Sequence, residues 1–188
     1  MRIRHLLIPA VLVAALPALA QDTYKIDSVH SQVGFRIRHL VAKVSGRFAK
    51  FNGTVTVDSK DITKSSVEVS IDAASISTDN EARDKHLRSV DFFEVEKFPV
   101  ITFKSTAVKE VAKGKLEVTG NLTIKGITKQ VTFPITNAGT QPGMKPGTVL
   151  AGFVDGTLRI NRNDFGIKYG PGILGEDVDI TLDVEAGK

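Results

Sequence analysis

The chain has 188 residues, no cysteine, no tryptophan and 6% aromatic residues, with 25 Lys and Arg against 21 Asp and Glu. This excludes a disulfide framework, thiol catalysis and cysteine-ligated metal. A formal charge of only +4 and so few aromatic rings also argue against a nucleic-acid groove built on charge and stacking.

Residues 1–20 read as a secretory signal. Arg2 and Arg4 precede an apolar stretch from Leu6 to Leu16, and Ala18-Leu19-Ala20 supplies small residues for cleavage after Ala20. A membrane anchor needs roughly 20 apolar residues, more than this stretch provides. Removing 20 of 188 residues leaves 168, within the range of one domain with its own core. The signal takes two basic residues and no acidic one, so the expected mature charge is +2. A soluble periplasmic domain over residues 21–188, without stable membrane insertion, is the expectation.

The next residues repeat one pattern. Successive strand side chains point to opposite faces, so alternation of apolar and polar residues marks a sheet with one oily side. Tyr24 to Asp27 is a short run suited to an edge. Val33, Phe35, Ile37 and His39 share a face opposite Arg36 and Arg38. Gly46 to Val57 reads as one long bent strand, in which Phe48 and Phe51 break parity and suggest a bulge. Val67, Val69, Ile71 and Ala73 continue the set.

Between Ala73 and Pro99 the alternation stops. Thr78-Asp79-Asn80-Glu81 has the form of a capping box with Thr78 as N-cap, predicting a short helix from Glu81 to about Ser89. Leu87 and Val90 are then expected inside, with Arg83, Lys85 and Arg88 solvated.

Strands resume with Ile101, Phe103, Ser105 and Ala107. Leu116, Val118, Gly120, Leu122 and Ile124 follow, then Val131, Phe133 and Ile135. Asn137 to Thr148 reads as an exposed loop. In residues 149–160, Leu150, Gly152, Val154, Gly156, Leu158 and Ile160 share one parity. Val178, Ile180, Leu182 and Val184 do the same in the last strand. Gly166 to Gly175, with four glycines and a proline, reads as a loop. The sum is an all-β chain of eight main strands and one short helix, which suggests a closed barrel with a dry inside.

No G-x-S-x-G elbow, H-E-x-x-H helix or phosphate loop is present. His30, His39 and His86 lack metal-ligand spacing, even with Asp84 or Asp91 as helpers, so neither a metal nor a cofactor is expected. Ser31 and His30 are strand neighbours pointing apart, which rules them out as nucleophile and base. Arg83, Asp84 and His86 suit a polar cluster at a barrel mouth, and they also suit a solvated helix face with one local salt bridge. The inward glycines have two readings as well: they leave space for a ligand, or they let the barrel wall bend.

Several separated segments, in order, carry a resemblance. They are Tyr24 to Ser31, Phe35 to Leu40, Gly46-Arg47-Phe48, Arg83 to Phe93, Phe98 to Phe103, Gly120 to Lys129 and Asn161 to Ile167. Over essentially the whole of residues 21–188 the chain resembles the YceI-like family of exported polyisoprenoid-binding proteins. The resemblance implies a lipocalin-like extended eight-stranded antiparallel barrel with one short helix. It also implies a long apolar pocket for a polyisoprenoid, a quinone tail or a similar amphiphile, and no catalytic residues.

The expected lining comes from the apolar faces. Phe35 and Ile37 belong to the first long strand, and Phe103, Leu122 and Phe133 to the middle of the sheet. Gly152, Val154, Gly156 and Leu158, with Ile180 and Leu182, belong to the last two strands. His39, Arg83 and His86 are the candidate polar mouth. The partner is then a long-chain lipid, not nucleic acid, and a homodimer stays open. Two alternatives remain: an enzyme using His86, Asp84 or Asp91 at the mouth, and a protein-interaction module.

Overall fold

The computed structural model describes residues 21–188; the predicted signal lies outside them. The strand segments are β1 (Gln21–Ile26), β2 (Gln32–His39), β3 (Ala42–Phe48), β4 (Phe51–Asp58), β5 (Ser66–Asp72) and β6 (Ile76–Ser77). After helix α1 (Glu81–Arg88) come β7 (Val100–Ala112), β8 (Lys115–Ile124), β9 (Ile127–Pro142), β10 (Val149–Asn161) and β11 (Leu174–Gly187). All pairings are antiparallel. The order β1-β4-β5-β7-β8-β9-β10-β11 returns to β1, closing an eight-stranded barrel. From β11 the wall continues through β2, β3 and β6, which lengthens one end.

β1 is not an edge strand. Tyr24 pairs with Val55 of β4 and Lys25 with Gly187 of β11, so this short run closes the ring. The expected long bent strand is present as two pieces, β3 and β4. The chain turns a corner at Ala49-Lys50, where Ala49 N–H donates to the Ser75 carbonyl and Lys50 N–H to the Ser75 hydroxyl. The corner lets Phe48 and Phe51, three residues apart, both enter the core. β9 runs through most of the expected loop to Pro142, and only the turn from Gly143 to Thr148 remains. Its last residues are exposed, so no buried face marks them as a strand in the sequence.

β10 departs most from simple alternation. Its register against β11 shifts between Phe153 and Gly156, where Asp155 takes a positive φ of 59° and donates its N–H to Asp183 Oδ1. This bulge switches parity along the strand. Before it, Ala151 and Phe153 are buried; after it, Gly156, Leu158 and Ile160 point inward. Gly152 and Val154 therefore leave the inner face, against the expectation from simple alternation.

The helix cap also differs from the expected one. Asn80 is the N-cap and accepts from Arg83 N–H at 2.9 Å. Asp79, at a φ of 57°, turns the chain so that Thr78 lies outside the helix start, buried against Asp84. The helix ends at Arg88, leaving Val90 exposed while Leu87 packs on the core. Arg88 is not free in solvent: it donates to the Ala74 and Ile76 carbonyls and fixes the helix to β6. α1 is the one α-helix among the described residues, and no helix there is long and apolar enough to cross a membrane.

Candidate ligand cavity

The inner faces do not meet in the middle. Two clusters of buried side chains lie along the barrel, and between and beside them runs a cavity of about 960 Å³. Aliphatic and phenyl side chains dominate its wall. Leu158, Leu182 and Phe103 pack against both clusters, which sets them at mid-length.

Phe35, Ile37, Phe103, Leu122, Phe133, Leu158, Ile180 and Leu182 all face this space. Gly152 and Val154 do not, for the reason the β10 bulge supplies. Gly156 points inward but is not on the wall. A Cβ added there would lie 2.9 Å from Leu182 Cβ and 3.1 Å from both Ile135 Cδ1 and the Leu182 carbonyl oxygen. The glycine thus makes room for Leu182 and Ile135, not for a guest chain. Gly120 does the same for the Phe103 ring. Of the two readings of the inward glycines, close approach of the wall's own atoms holds at these positions.

The exposed lining residues gather at one end, apart from Ser66 at the start of β5. His39 from β2, Arg83 from α1 and Tyr169, Pro171 and Ile173 from the β10–β11 connection are solvent-accessible there. This is the mouth. At the opposite end Ile62, in a one-turn 3-10 segment between β4 and β5, packs against the second cluster. His39, Arg83 and His86, the predicted polar mouth, all line the cavity. His86 is held edge-on between Phe92 and Tyr169, at ring-centroid distances of 5.0 and 4.8 Å. Its Nε2 lies 2.8 Å from Asp91 Oδ2. Arg83 donates from Nε to the Thr78 hydroxyl and from Nη2 to the Thr78 carbonyl.

The residues of the catalytic alternative do not assemble. His86 and Asp91 meet, but the Asp84 carboxylate is buried and turned to Thr78. The histidines do not form one site either. His30 is off the cavity wall, with Nδ1 at 2.9 Å from Asp27 Oδ2 and 3.8 Å from Glu185 Oε1. The hydrogen bond to Asp27 raises the His30 pKa, and the Asp27 and Glu185 charges add to it. Ser31 exchanges hydrogen bonds with the Glu185 backbone, so its hydroxyl is tied to structure.

Sequence reasoning missed the loop from Gly166 to Ile173 as part of the mouth, and it missed Arg162. Arg162 follows Leu158 and Ile160 at the same inward parity, so a charged residue continuing an apolar face was a readable signal. Its side chain is 5% exposed and lines the cavity.

The YceI-like domain family matches residues 24–186. The chain belongs to the YceI-like family. A UPF0312 protein of Pseudomonas putida (strain W619) is 41% identical over 181 residues, covering 94% of this chain and 92% of that protein. One from Vibrio parahaemolyticus is 40% identical over 182 residues, covering 93% and 92%. Among solved structures, Burkholderia cenocepacia BcnA superposes with a TM-score of 0.77 at 30% identity, over 86% of this chain and 99% of that one. A polyisoprenoid binding domain from Saccharophagus degradans has a TM-score of 0.63 at 15% identity, over 87% and 97%, a likeness of fold.

Proposed function

We propose that this protein is an exported, periplasmic carrier or buffer that holds the long apolar chain of one amphiphile, such as a polyisoprenoid or quinone tail, inside its barrel. The cavity carries this reading: about 960 Å³ of apolar-walled space with an exposed mouth. That volume lies near the top of the usual range for small-ligand pockets, roughly 300–1,000 Å³. Transfer of a chain from water contributes about 0.8 kcal/mol per buried CH₂. Twenty such carbons would contribute about 16 kcal/mol, close to the ceiling of measured affinities, so ordering the chain must offset part of it. The polyisoprenoid-binding description of the Saccharophagus domain, on the same fold, supports the same class of ligand.

The reading is of a binding protein, with chain length and width as the basis of selection. Delipidated protein should take up the fluorescent dye 1-N-phenylnaphthylamine, and farnesol or a longer prenol should displace it. Absence of dye uptake at micromolar protein would count against the reading. A catalytic role would rest on the His86–Asp91 pair, and turnover of an amphiphile lost on His86→Ala is the result that would establish it.

A further inference from the structure

The fold leaves a set of apolar side chains in water around the cavity mouth. Val41, at the tip of the β2–β3 turn, is fully exposed, and Leu40 beside it is exposed as well. Tyr169 and Ile173 in the β10–β11 connection and Val90 just after α1 are exposed too. These residues form one rim. Leu40 N–H donates to the Ile173 carbonyl at 2.8 Å, which ties the two loop tips together. Tyr169 packs on His86 and on Phe92, two residues beyond Val90. The β2–β3 tip is held in place: Leu40 takes a φ of 49°, and its carbonyl accepts from Arg38 Nη1 at 2.9 Å. Neither Leu40 nor Val41 lines the cavity, so a molecule held inside does not account for them.

The charge of the two loop tips has one sign. Residues 38–43 and 166–173 contain Arg38, Lys43 and Lys168 and no Asp or Glu. Lys43 pairs with Asp179. The arginine ion pairs among the described residues are Arg47–Asp79 and Arg159–Asp179, and the lysine pairs there do not include Lys168. Arg38 and Lys168 therefore have no acidic partner. Of the carboxylates nearby, Asp91 meets His86, while Glu176 and Asp177 stand past Leu174, where β11 runs away from the mouth.

Single exposed apolar side chains are ordinary, but a connected set at the entrance of an apolar cavity marks a surface that is covered in use. Apolar tips flanked by Lys and Arg suit the head-group region of an anionic bilayer. The tips enter the acyl boundary and the cations meet the phosphates. Contact also spares a long chain the passage through water that makes its transfer slow. We infer that the rim of Leu40, Val41, Tyr169 and Ile173 is a docking surface for an anionic phospholipid bilayer, on which the protein sits mouth down while its ligand crosses. This rests on the lipid-binding reading above and adds the surface with which the ligand is exchanged. Two loop tips bury little apolar area, so the contact is reversible.

Cosedimentation of delipidated protein with vesicles tests the docking surface. The unaltered protein should pellet with vesicles of equal parts phosphatidylglycerol and phosphatidylcholine. Its affinity should fall tenfold or more with phosphatidylcholine alone. Val41→Asp and Lys168→Glu should each weaken binding to the mixed vesicles by roughly fivefold or more, the worth of one basic residue near an anionic surface. Neither residue lines the cavity, so both variants should keep their melting temperature and their uptake of 1-N-phenylnaphthylamine. Dye uptake without vesicle binding would overturn the inference and leave the lipid-binding reading intact. So would equal binding to the two kinds of vesicle, or full binding in either variant. A concentration-dependent dimer that Val41→Asp abolishes, without vesicle binding, would assign the rim to a second copy of the chain and overturn the inference. Failure of the unaltered protein to take up dye would overturn the lipid-binding reading itself.

Discussion

Thr78 donates both its backbone N–H and its hydroxyl to one oxygen of Asp84, at 2.8 and 2.5 Å, and both residues are buried. The same hydroxyl accepts from Arg83 Nε at 2.7 Å. Three residues that line or flank the mouth are thus one hydrogen-bonded unit. It joins the strand segment β6 to the helix, and it turns the Asp84 carboxylate to Thr78, off the cavity wall.

Thr78→Val keeps the shape but removes the hydroxyl, leaving Asp84 one donor short and Arg83 Nε without its acceptor, while the Nη2 bond to the residue 78 carbonyl stays. A loss of about 1–3 kcal/mol is expected, the usual cost of an unsatisfied buried polar group. Asn80→Ala, which removes the real N-cap, should cost about 1 kcal/mol. Urea midpoints at unchanged slope measure both. An unshifted midpoint for Thr78→Val would show that the Thr78–Asp84 contact is not holding the helix.

Gly156→Leu is expected to destabilise the barrel. The new side chain meets Leu182, Ile135 and a backbone carbonyl instead of open cavity. Overpacking of this kind typically costs about 1–3 kcal/mol. Thermal melts of delipidated protein check it, and an unchanged melting temperature would mean that the wall yields easily at this point.

Much of this fold was legible because one face of most strands is buried, and burial at period two leaves its mark in the residue types. Val33-Phe35-Ile37, Leu116 to Ile124 and Val178 to Val184 all show it. The failures have physical causes. The β10 bulge at Asp155 inserts a residue that no composition rule announces, so Gly152 and Val154 carried the wrong face. The end of β9 is exposed on both faces, and its backbone pairing leaves no trace in side-chain polarity. Thr78 and Asn80 are both good caps, and the turn at Asp79 decides between them. Arg162 was visible as a residue at inward parity, but its lack of an acidic partner is a fact of three dimensions.

Leu158→Trp tests the cavity at mid-length. Leu158 faces the open space and packs against both core clusters. A larger ring there should leave stability within about 1 kcal/mol, because it enters empty volume instead of packed atoms. It should also weaken binding of a prenol of twenty carbons more than binding of one of ten. Equal weakening of both, together with a large loss of stability, would indicate a filled interior.

Asp179 sets part of the acid limb of stability. Its carboxylate accepts from Lys43 Nζ at 3.0 Å and Arg159 Nε at 2.7 Å, and these bonds, the Lys43 bond first, hold it below the usual carboxylate range. Because the folded value is depressed, the contribution is present above the unfolded value of about 3.9 and is lost as pH falls through the folded one. Asp179→Asn should therefore be less stable than the unaltered protein near neutrality, with the two melting curves converging as pH falls below the unfolded value of about 3.9. A gap that stays constant from pH 7 to pH 2 would contradict this. His30 works with the opposite sign: its raised value makes its contribution complete below about pH 6.5 and lost at higher pH.

A barrel that holds a long-chain lipid in the cell should still carry it after gentle isolation. Native mass spectrometry of protein isolated from the periplasm of its own source, followed by solvent extraction of the same sample, tests it most directly. The expected species is a chain beginning at Gln21 that carries one long-chain amphiphile, released by solvent and identified by its mass. A chain that carries no small molecule across independent preparations, and takes up none when the extracted lipids are returned, would contradict it.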